Sequence, residues 1–394
     1  MPQLSTRITG LNDGGSDGWD VFYRARALVA AGHDITELTI GEHDRRTDPT
    51  ILQDMHASAV GGHTGYAAVP GTDGLRDAVA ARVAERTGVA TTRDNVLITP
   101  GGQAALFAAH MAALDGGQTG LYIDPCYATY PGTIRAAGGR AVAVATTPDT
   151  GFLPHPRALA GPARGARSLL VNTPNNPAGR VYPRHTLDGI AAVAEAHDLW
   201  VISDEVYDTQ VWDGAHLSPR ALPRMAARTL VAGSLSKSHA MTGSRIGWLV
   251  GPEDAIARAA ELATVTTYGV PGFIQDAAQA AIARGTEPET DVAAPFRRRR
   301  DLLMRVVAAE GGEAVRALPA EGTMYVLLDI RATGMTGAAF ADALLDAEGI
   351  AVMPGESFGQ AAAGHVRVAL TVDDARLERA LRTLARFARA RVPA

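Results

Sequence analysis

The stretch Ser234-Leu-Ser-Lys237-Ser-His-Ala-Met-Thr-Gly-Ser-Arg245-Ile-Gly-Trp carries the strongest chemical signal in the chain. It follows an apolar run, Thr229-Leu-Val-Ala-Gly, that is typical of a buried strand. Within a few residues it places hydroxyls, one amine and one guanidinium. Hydroxyls and arginine suit a phosphate dianion, and a lysine amine can form an imine with a carbonyl carbon. The stretch therefore predicts a site that holds a phosphate beside a reactive amine.

Lys237 is the only lysine of the sequence. Lysine and arginine together number 37, so all the others are arginine. A general bias toward arginine explains most of that ratio, because arginine serves wherever a position needs only positive charge. Arginine stays protonated and is no amine nucleophile, whereas a desolvated lysine can lose its proton. We therefore predict that position 237 needs an amine, with chance retention as the alternative.

The bulk composition excludes several classes of protein. The chain has 394 residues, of which 46% are hydrophobic and 20% charged, as in globular enzymes. A net charge of −5 gives no electrostatic reason to bind nucleic acid or an anionic membrane. The one basic run, Arg297 to Arg300, is interpreted as a solvated helix face rather than a nucleic-acid patch.

Localisation and redox state follow from what the sequence lacks. No segment is apolar for long enough to span a membrane, and the N-terminus has no signal pattern. The single cysteine, Cys126, fits a reducing compartment and is interpreted as a buried apolar residue rather than a nucleophile. We expect a cytoplasmic protein.

Strand and helix patterns alternate through the middle of the chain. The predicted strands begin at residues 96, 120, 141, 168, 199, 229 and 247, and most are continuously apolar. Such strands, separated by helices, indicate a mostly parallel sheet covered on both faces. We predict an α/β fold: a large domain over 51–289 with this sheet flanked by helices, and a smaller α+β domain formed by 1–50 together with 290–394.

Polar residues follow the ends of four predicted strands. Gly101-Gly102-Gln103 follows the first, Asn176 another, Asp204 and Tyr207 a third, and Ser234 to Lys237 a fourth. Ligands of open α/β sheets bind beyond the carboxyl ends of the strands, so these residues are predicted to converge on one crevice.

Each of these positions also has a plainer explanation. The two glycines can bind a phosphate at a helix N-terminus or simply form a tight turn, and they do not match the dinucleotide fingerprint. Asp204 can pair with a protonated pyridine nitrogen or with an ordinary cationic side chain. Tyr207 can donate a hydrogen bond to a phenolate oxygen or merely pack in the core.

Taken in order, these motifs resemble those of the class I/II aminotransferases (fold type I, aspartate-aminotransferase-like). The resemblance covers about residues 15–390 and rests on motifs in family order: Gly65-Tyr66, Pro70-Gly71, Pro125-Cys-Tyr127 before Tyr130-Pro131, Asn176-Pro-Ala-Gly, Asp204-Glu-Val-Tyr207, the Lys237 segment and His365-Val-Arg367. It implies an enzyme of amino acid metabolism that uses pyridoxal 5′-phosphate and moves an amino group between an L-α-amino acid and a 2-oxo acid by ping-pong half-reactions.

The resemblance also implies the role of each site residue. Lys237 would form a Schiff base with the cofactor and later move a proton, and Asp204 would keep the pyridine nitrogen protonated. Tyr207 and Asn176 would hydrogen-bond the ring oxygen, and Arg367 would bind the substrate α-carboxylate with help from Gly41 and Asn176. The remaining implied cofactor residues are Tyr127 on the ring face, then Gly101, Gly102, Gln103, Ser234, Ser236 and Arg245 around the phosphate, and Tyr66 on the phosphate of a neighbouring subunit. A homodimer with shared sites is part of this expectation, and no metal ion is.

Two departures and several rivals bear on the expectation. The family's Gly-Glu-Pro-Asp-Phe is Gly41-Glu-His43-Asp-Arg45 here, and Tyr127 stands where some members have Trp. Arg45 or Arg46 can attract an acidic substrate side chain, although a solvent-facing role is favoured.

The nearest alternative functions keep the cofactor but change the reaction: a β-lyase, an amino-acid cyclase or an oxidase. A ligand-sensing regulator and a nicotinamide-dependent dehydrogenase are more distant alternatives.

Overall fold

The computed structural model describes residues 2–16 and 18–393. The strands of the described residues are β1 Thr36–Leu38, β2 Val96–Thr99, β3 Thr119–Asp124, β4 Arg140–Ala145, β5 Ala166–Asn172, β6 Trp200–Asp204, β7 Thr229–Ser234, β8 Gly247–Val250, β9 Arg316–Ala317, β10 Tyr325–Asp329, β11 Ile350–Pro354 and β12 His365–Ala369. The helices are α1 Thr6–Thr9, α2 Asp20–Ala30, α3 Pro49–Val60, α4 Asp73–Thr87, α5 Gly102–Ala113, α6 Tyr130–Ala136, α7 Pro156–Ala160, α8 Arg184–Ala196, α9 Leu235–Ser238, α10 Glu253–Val265, α11 Gly272–Ala283, α12 Glu287–Glu310, α13 Gly337–Glu348 and α14 Asp374–Arg389.

Two sheets organise the chain. The larger has seven strands in the order β2-β8-β7-β6-β5-β3-β4, and the smaller has five in the order β1-β11-β12-β10-β9. The larger sheet is parallel except for β8, which runs antiparallel to both of its neighbours. The predicted α/β fold with a mostly parallel sheet is confirmed. The domain boundaries at 51 and 289 stay a prediction.

Both faces of the larger sheet are apolar, which explains why its strands are continuously apolar in sequence. In β7, Leu230 packs in one buried cluster with α5 and α10, while the next residue, Val231, packs in another with α4 and α11. Successive side chains of a strand point to opposite faces, so both parities must be apolar when helices cover both faces. No helix of the described ranges has both the length and the apolarity needed to cross a membrane.

The predicted basic run lies on α12 and is largely neutralised by acidic partners. The ion pairs are Arg298 with Asp374, Arg299 with Asp44 and Asp374, and Arg300 with Asp213 and Asp301. The interpretation as a solvated helix face is wrong for Arg299, which is only 4% exposed. Its charge is buried because two carboxylates pair with it, the condition under which a buried cation is tolerated.

Candidate active site

A cavity of about 300 Å³ opens at the carboxyl edge of the larger sheet. Ten further predicted site residues line it together with Lys237: Gly41, Gly102, Gln103, Tyr127, Asn176, Asp204, Tyr207, Ser234, Ser236 and Arg245. Three other predicted residues do not line the cavity. Gly101 directly precedes Gly102, Arg367 donates a hydrogen bond to Asn176, and Tyr66 is exposed elsewhere on the surface. The structure thus brings most of the predicted site together.

Lys237 stands on the short helix α9, directly after β7. Its Nζ donates a hydrogen bond to the carbonyl oxygen of Gly41, which comes from the chain segment after β1. Position 41 must be glycine, because a Cβ there would lie 1.7 Å from the Tyr325 hydroxyl oxygen. Burial lowers the pKa of the Lys237 amine. A larger fraction of this amine is therefore uncharged and nucleophilic than of an exposed lysine.

Asp204 ends β6 and is 5% exposed. Its Oδ2 accepts a hydrogen bond of 2.6 Å from the Tyr130 hydroxyl, and its Oδ1 accepts one of 3.3 Å from the Val206 amide. Among the described residues it has no ion pair with a cationic side chain. Burial raises the pKa of Asp204 to about 6, and the Tyr130 hydrogen bond opposes that rise. A buried carboxylate of this kind is complementary to a cationic ligand group.

Other residues of the cavity are groups that bind anions. Helix α5 begins at Gly102, and Arg245 lies beside this helix end, since a Cβ on Gly101 would lie 2.3 Å from Arg245 Nη2. Arg245 itself has a left-handed backbone, with φ of 50°. The Ser234 hydroxyl accepts from the Ser236 amide at 3.0 Å, which places two hydroxyls beside this helix end. A helix N-terminus, a guanidinium and hydroxyls together form a phosphate site.

Arg367, on β12, is 1% exposed and held between two aromatic rings. Its guanidinium carbon lies 4.2 Å from the ring centroids of both Tyr325 and Phe358. Nη1 donates to Asn176 Oδ1 at 3.0 Å and Nη2 to the Thr39 carbonyl oxygen. No carboxylate of the described residues forms an ion pair with it, so its charge is oriented yet unneutralised. Such a group suits a carboxylate ligand.

Several residues of the cavity were missed from the sequence. Tyr130 was quoted within a motif but given no role, and Tyr325, whose hydroxyl accepts a 3.1 Å hydrogen bond from Tyr207, was not among the predicted site residues. Trp19 packs edge to face on Tyr127, with ring centroids 6.2 Å apart. Gln103, which was predicted, lines the cavity and donates from Nε2 to Thr133 Oγ1 at 2.6 Å. One signal in the sequence could have indicated a site role for Tyr130: it lies three residues after Tyr127, at the start of a helix.

Two alternatives from the sequence are resolved here. Arg45 pairs with Asp291 at 2.9 Å, and neither Arg45 nor Arg46 lines the cavity. Burial raises the pKa of the Cys126 thiol well above its ordinary value, which disfavours the nucleophilic thiolate.

Comparison with known proteins agrees with this geometry. The family model described as aminotransferase class I and II matches residues 33–384. An arginine–pyruvate transaminase of Pseudomonas aeruginosa is 41% identical over 383 residues, covering 97% of this chain and 96% of that protein. An aspartate/prephenate aminotransferase of Thermus thermophilus is 35% identical over 391 residues, covering 98% of this chain and 99% of that protein. The solved Thermus thermophilus aspartate aminotransferase with maleate superposes with a TM-score of 0.91 at 33% identity, covering 98% of this chain and 100% of that one.

The chain therefore belongs to the class I and II aminotransferase family. Its enzyme class is that of the aminotransferases, EC 2.6.1.-, and its fold is that of fold type I. Members of this family typically use pyridoxal phosphate.

Replacing Tyr130 with Phe should weaken pyridoxal phosphate binding. The Tyr130 hydrogen bond lowers the pKa of Asp204, so its loss raises that pKa above about 6 and leaves less carboxylate near neutral pH. Hydrogen bonds to charged groups contribute about 1.5–3 kcal/mol, so we expect affinity to fall about tenfold or more. Fluorescence titration at pH 6 and pH 8 should show the larger loss at pH 6.

Tyr182 provides the matched control for this experiment. It is 1% exposed and its hydroxyl has no hydrogen-bond partner among the described residues, so Tyr182→Phe should leave the affinity unchanged. Unaltered affinity of Tyr130→Phe at pH 6 would contradict the role given to Tyr130.

Proposed function

We propose that this aminotransferase binds pyridoxal phosphate covalently through Lys237 and transfers an amino group between an α-amino acid and a 2-oxo acid. The observation that carries the proposal is the distribution of charge in one cavity. Asp204, a buried carboxylate without an ion-pair partner among the described residues, lines the same cavity as Arg245 and the desolvated amine of Lys237. The pyridinium, phosphate and aldehyde of this cofactor match those three groups.

When bound, pyridoxal phosphate supplies an aldehyde for the amine and a ring that withdraws electrons from the substrate Cα. Asp204 would hold the proton of the ring nitrogen, and the positive charge there would in turn favour the ionised form of Asp204. Tyr207 and Asn176 would hydrogen-bond the ring oxygen, and Tyr127 would cover one ring face. Arg245, Ser234, Ser236 and the start of α5 would bind the phosphate.

Two residues would act directly on the substrate. Arg367 would bind the α-carboxylate, because its oriented guanidinium has no acidic partner. This orients the Cα proton toward Lys237, whose lowered pKa allows its amine to accept that proton and return it. Trp19 and Tyr127 would exclude water from the open side of the cavity.

Lys237→Ala and Lys237→Arg form the decisive pair of variants. Both should lose the visible cofactor absorbance and at least about 10²–10⁴-fold of the transamination rate, because arginine keeps the charge but not the nucleophile. In the unaltered protein, borohydride reduction followed by peptide mass spectrometry should find a pyridoxyl group on residue 237. Transamination by either variant at the original rate would disprove the proposal.

We further propose that the amino donor has a cationic side chain, with arginine as the first candidate. The charged residues that line the cavity are Glu42, Asp204, Lys237 and Arg245. The last three are assigned to the cofactor, so among the described residues that line the cavity Glu42 is the one remaining charge available to a substrate side chain. It forms no hydrogen bond or ion pair within the described residues. The similarity to an arginine–pyruvate transaminase supports the same choice.

Steady-state kinetics with pyruvate as acceptor should give a higher kcat/KM for arginine than for aspartate. Glu42→Gln should lower kcat/KM for arginine about twofold to tenfold, in the range of partly exposed ion pairs. Citrulline, an uncharged analogue of arginine, serves as the control substrate, because Glu42 also raises the pKa of Lys237 and affects every substrate through it. A preference for aspartate would overturn this assignment.

We also propose that two copies of the chain form a homodimer in which Tyr66 completes the phosphate site of the other copy. Tyr66 is 91% exposed and packs edge to face on Tyr268, which is 53% exposed. Val60 and Val265 are 73% and 80% exposed. Large exposed apolar and aromatic side chains of this kind favour a protein interface.

Sedimentation should give twice the chain mass of 41.1 kDa. Tyr66→Phe should lower cofactor affinity about threefold to tenfold, the worth of one hydrogen bond, although Tyr66 lies outside the cavity of its own chain. A monomer that binds the cofactor with full affinity would exclude shared sites.

A further inference from the structure

The segment 41–47 reaches the turn that carries Lys237 from outside the larger sheet. Besides the Gly41 carbonyl that accepts from Lys237 Nζ, His43 Nε2 lies 3.1 Å from the Lys237 carbonyl oxygen. Thr47 Oγ1 donates to the Ala240 carbonyl oxygen at 2.7 Å. One short segment therefore contacts both the side chain and the main chain of Lys237.

The protonation state of His43 follows from its partner. A carbonyl oxygen only accepts hydrogen bonds, so the proton must be on Nε2. Burial, reinforced by the charge of Lys237, lowers the pKa of His43 to about 4, so the ring is neutral near pH 7 and has a single N–H. Nδ1 is then the unprotonated nitrogen, and it is buried without a hydrogen-bond partner. The one donor of the ring is directed at Lys237.

Helix α12 fixes the orientation of this ring. His43 packs edge to face on Phe296, with centroids 5.2 Å apart and planes at 76°. The next residue, Asp44, pairs at 2.5 Å with Arg299, which also donates to the Leu370 carbonyl oxygen at 3.0 Å. Helix α12 therefore contacts both the His43 ring and the residue that follows it.

The Lys237 carbonyl oxygen accepts from one other side chain of the described residues. Helix α9 contains only four residues, and the other side chain bonded to the Lys237 carbonyl is Gln210, at 3.3 Å. The family pattern has proline where this chain has His43, and a proline side chain has no donor. The His43 bond thus adds a restraint on the backbone of Lys237 that the family pattern does not provide.

We propose that His43 is a positioning residue, which orients Lys237 by donating from Nε2 to its carbonyl oxygen. This inference rests on the proposed function, because it assumes that Lys237 holds the cofactor.

Two amide variants test the position of the donor. In glutamine, Nε2 stands as many bonds from Cα as it does in histidine, whereas the asparagine amide reaches only as far as Nδ1. His43→Gln should therefore retain the bond and His43→Asn should lose it. His43→Phe keeps a ring against Phe296 but has no donor, and it should behave like His43→Asn.

The readouts are the rate of cofactor loss on dilution, followed by visible absorbance, and the separate values of kcat and KM. We expect His43→Asn and His43→Phe to lose cofactor about threefold to tenfold faster, the range for one hydrogen bond. Their kcat should fall while KM for the amino donor stays within about twofold, because Arg367 is untouched. His43→Gln should match the original protein within about twofold in both.

The inference would be overturned if His43→Gln behaved no better than His43→Phe, since a purely space-filling or stacking role predicts no rescue by the amide. Thermal unfolding of the cofactor-free proteins checks that each variant folds. If His43→Asn does not fold, the comparison of His43→Phe with His43→Gln decides. A His43→Gln protein that does not fold counts against the proposal. Borohydride reduction of the original protein is done first. An absent adduct on residue 237 means that the proposed function has failed, whereas an adduct with identical variants means that only the role of His43 has failed.

Discussion

Asp204 is an ionisable group that the fold buries without a counter-charge. Removing a carboxylate from water costs several kcal/mol unless hydrogen bonds or an opposite charge compensate it. Here the Tyr130 hydroxyl and the Val206 amide compensate part of the cost, and the pKa of Asp204 still rises to about 6. A cationic ligand group in this cavity would supply the counter-charge that Asp204 lacks.

The topology explains why so many functional groups meet at this point. Strands β6 and β7 are parallel neighbours, so Asp204 and the Lys237 turn leave the sheet at the same edge. Strand β8 runs the other way, and Gly247 at its start is paired with Ser234 on one side and Thr99 on the other. An antiparallel strand begins where its parallel neighbours end. This single reversal brings Arg245 into the cavity, beside the start of α5.

Much of this could be read from the sequence because the signals are local. Strands β2, β7 and β8 begin at the predicted residues 96, 229 and 247, and the polar residues after the strand ends do share one cavity. The reversed direction of β8 was missed, although a signal existed: residues 235–246 contain no crossover helix of the length that a parallel connection needs.

Contacts between residues distant in sequence had no such signal. Arg367 and Asn176 are 191 positions apart, and Tyr207 and Tyr325 are 118 apart. Neither periodicity nor propensity specifies which side chains of two sheets will meet. The role of His43 was also hidden, since its distinctive feature is a contact with a main-chain carbonyl, which no residue type predicts.

A single lysine in 394 residues gives this molecule an unusual chemical surface. Most globular enzymes present many ammonium groups to solvent, and reagents that acylate or alkylate amines label them indiscriminately. In this chain such a reagent meets one side chain, half-buried behind the Gly41 carbonyl. These 394 residues contain no other lysine that acylation or conjugation could regulate. Any amine modification of a side chain therefore reports directly on access to Lys237.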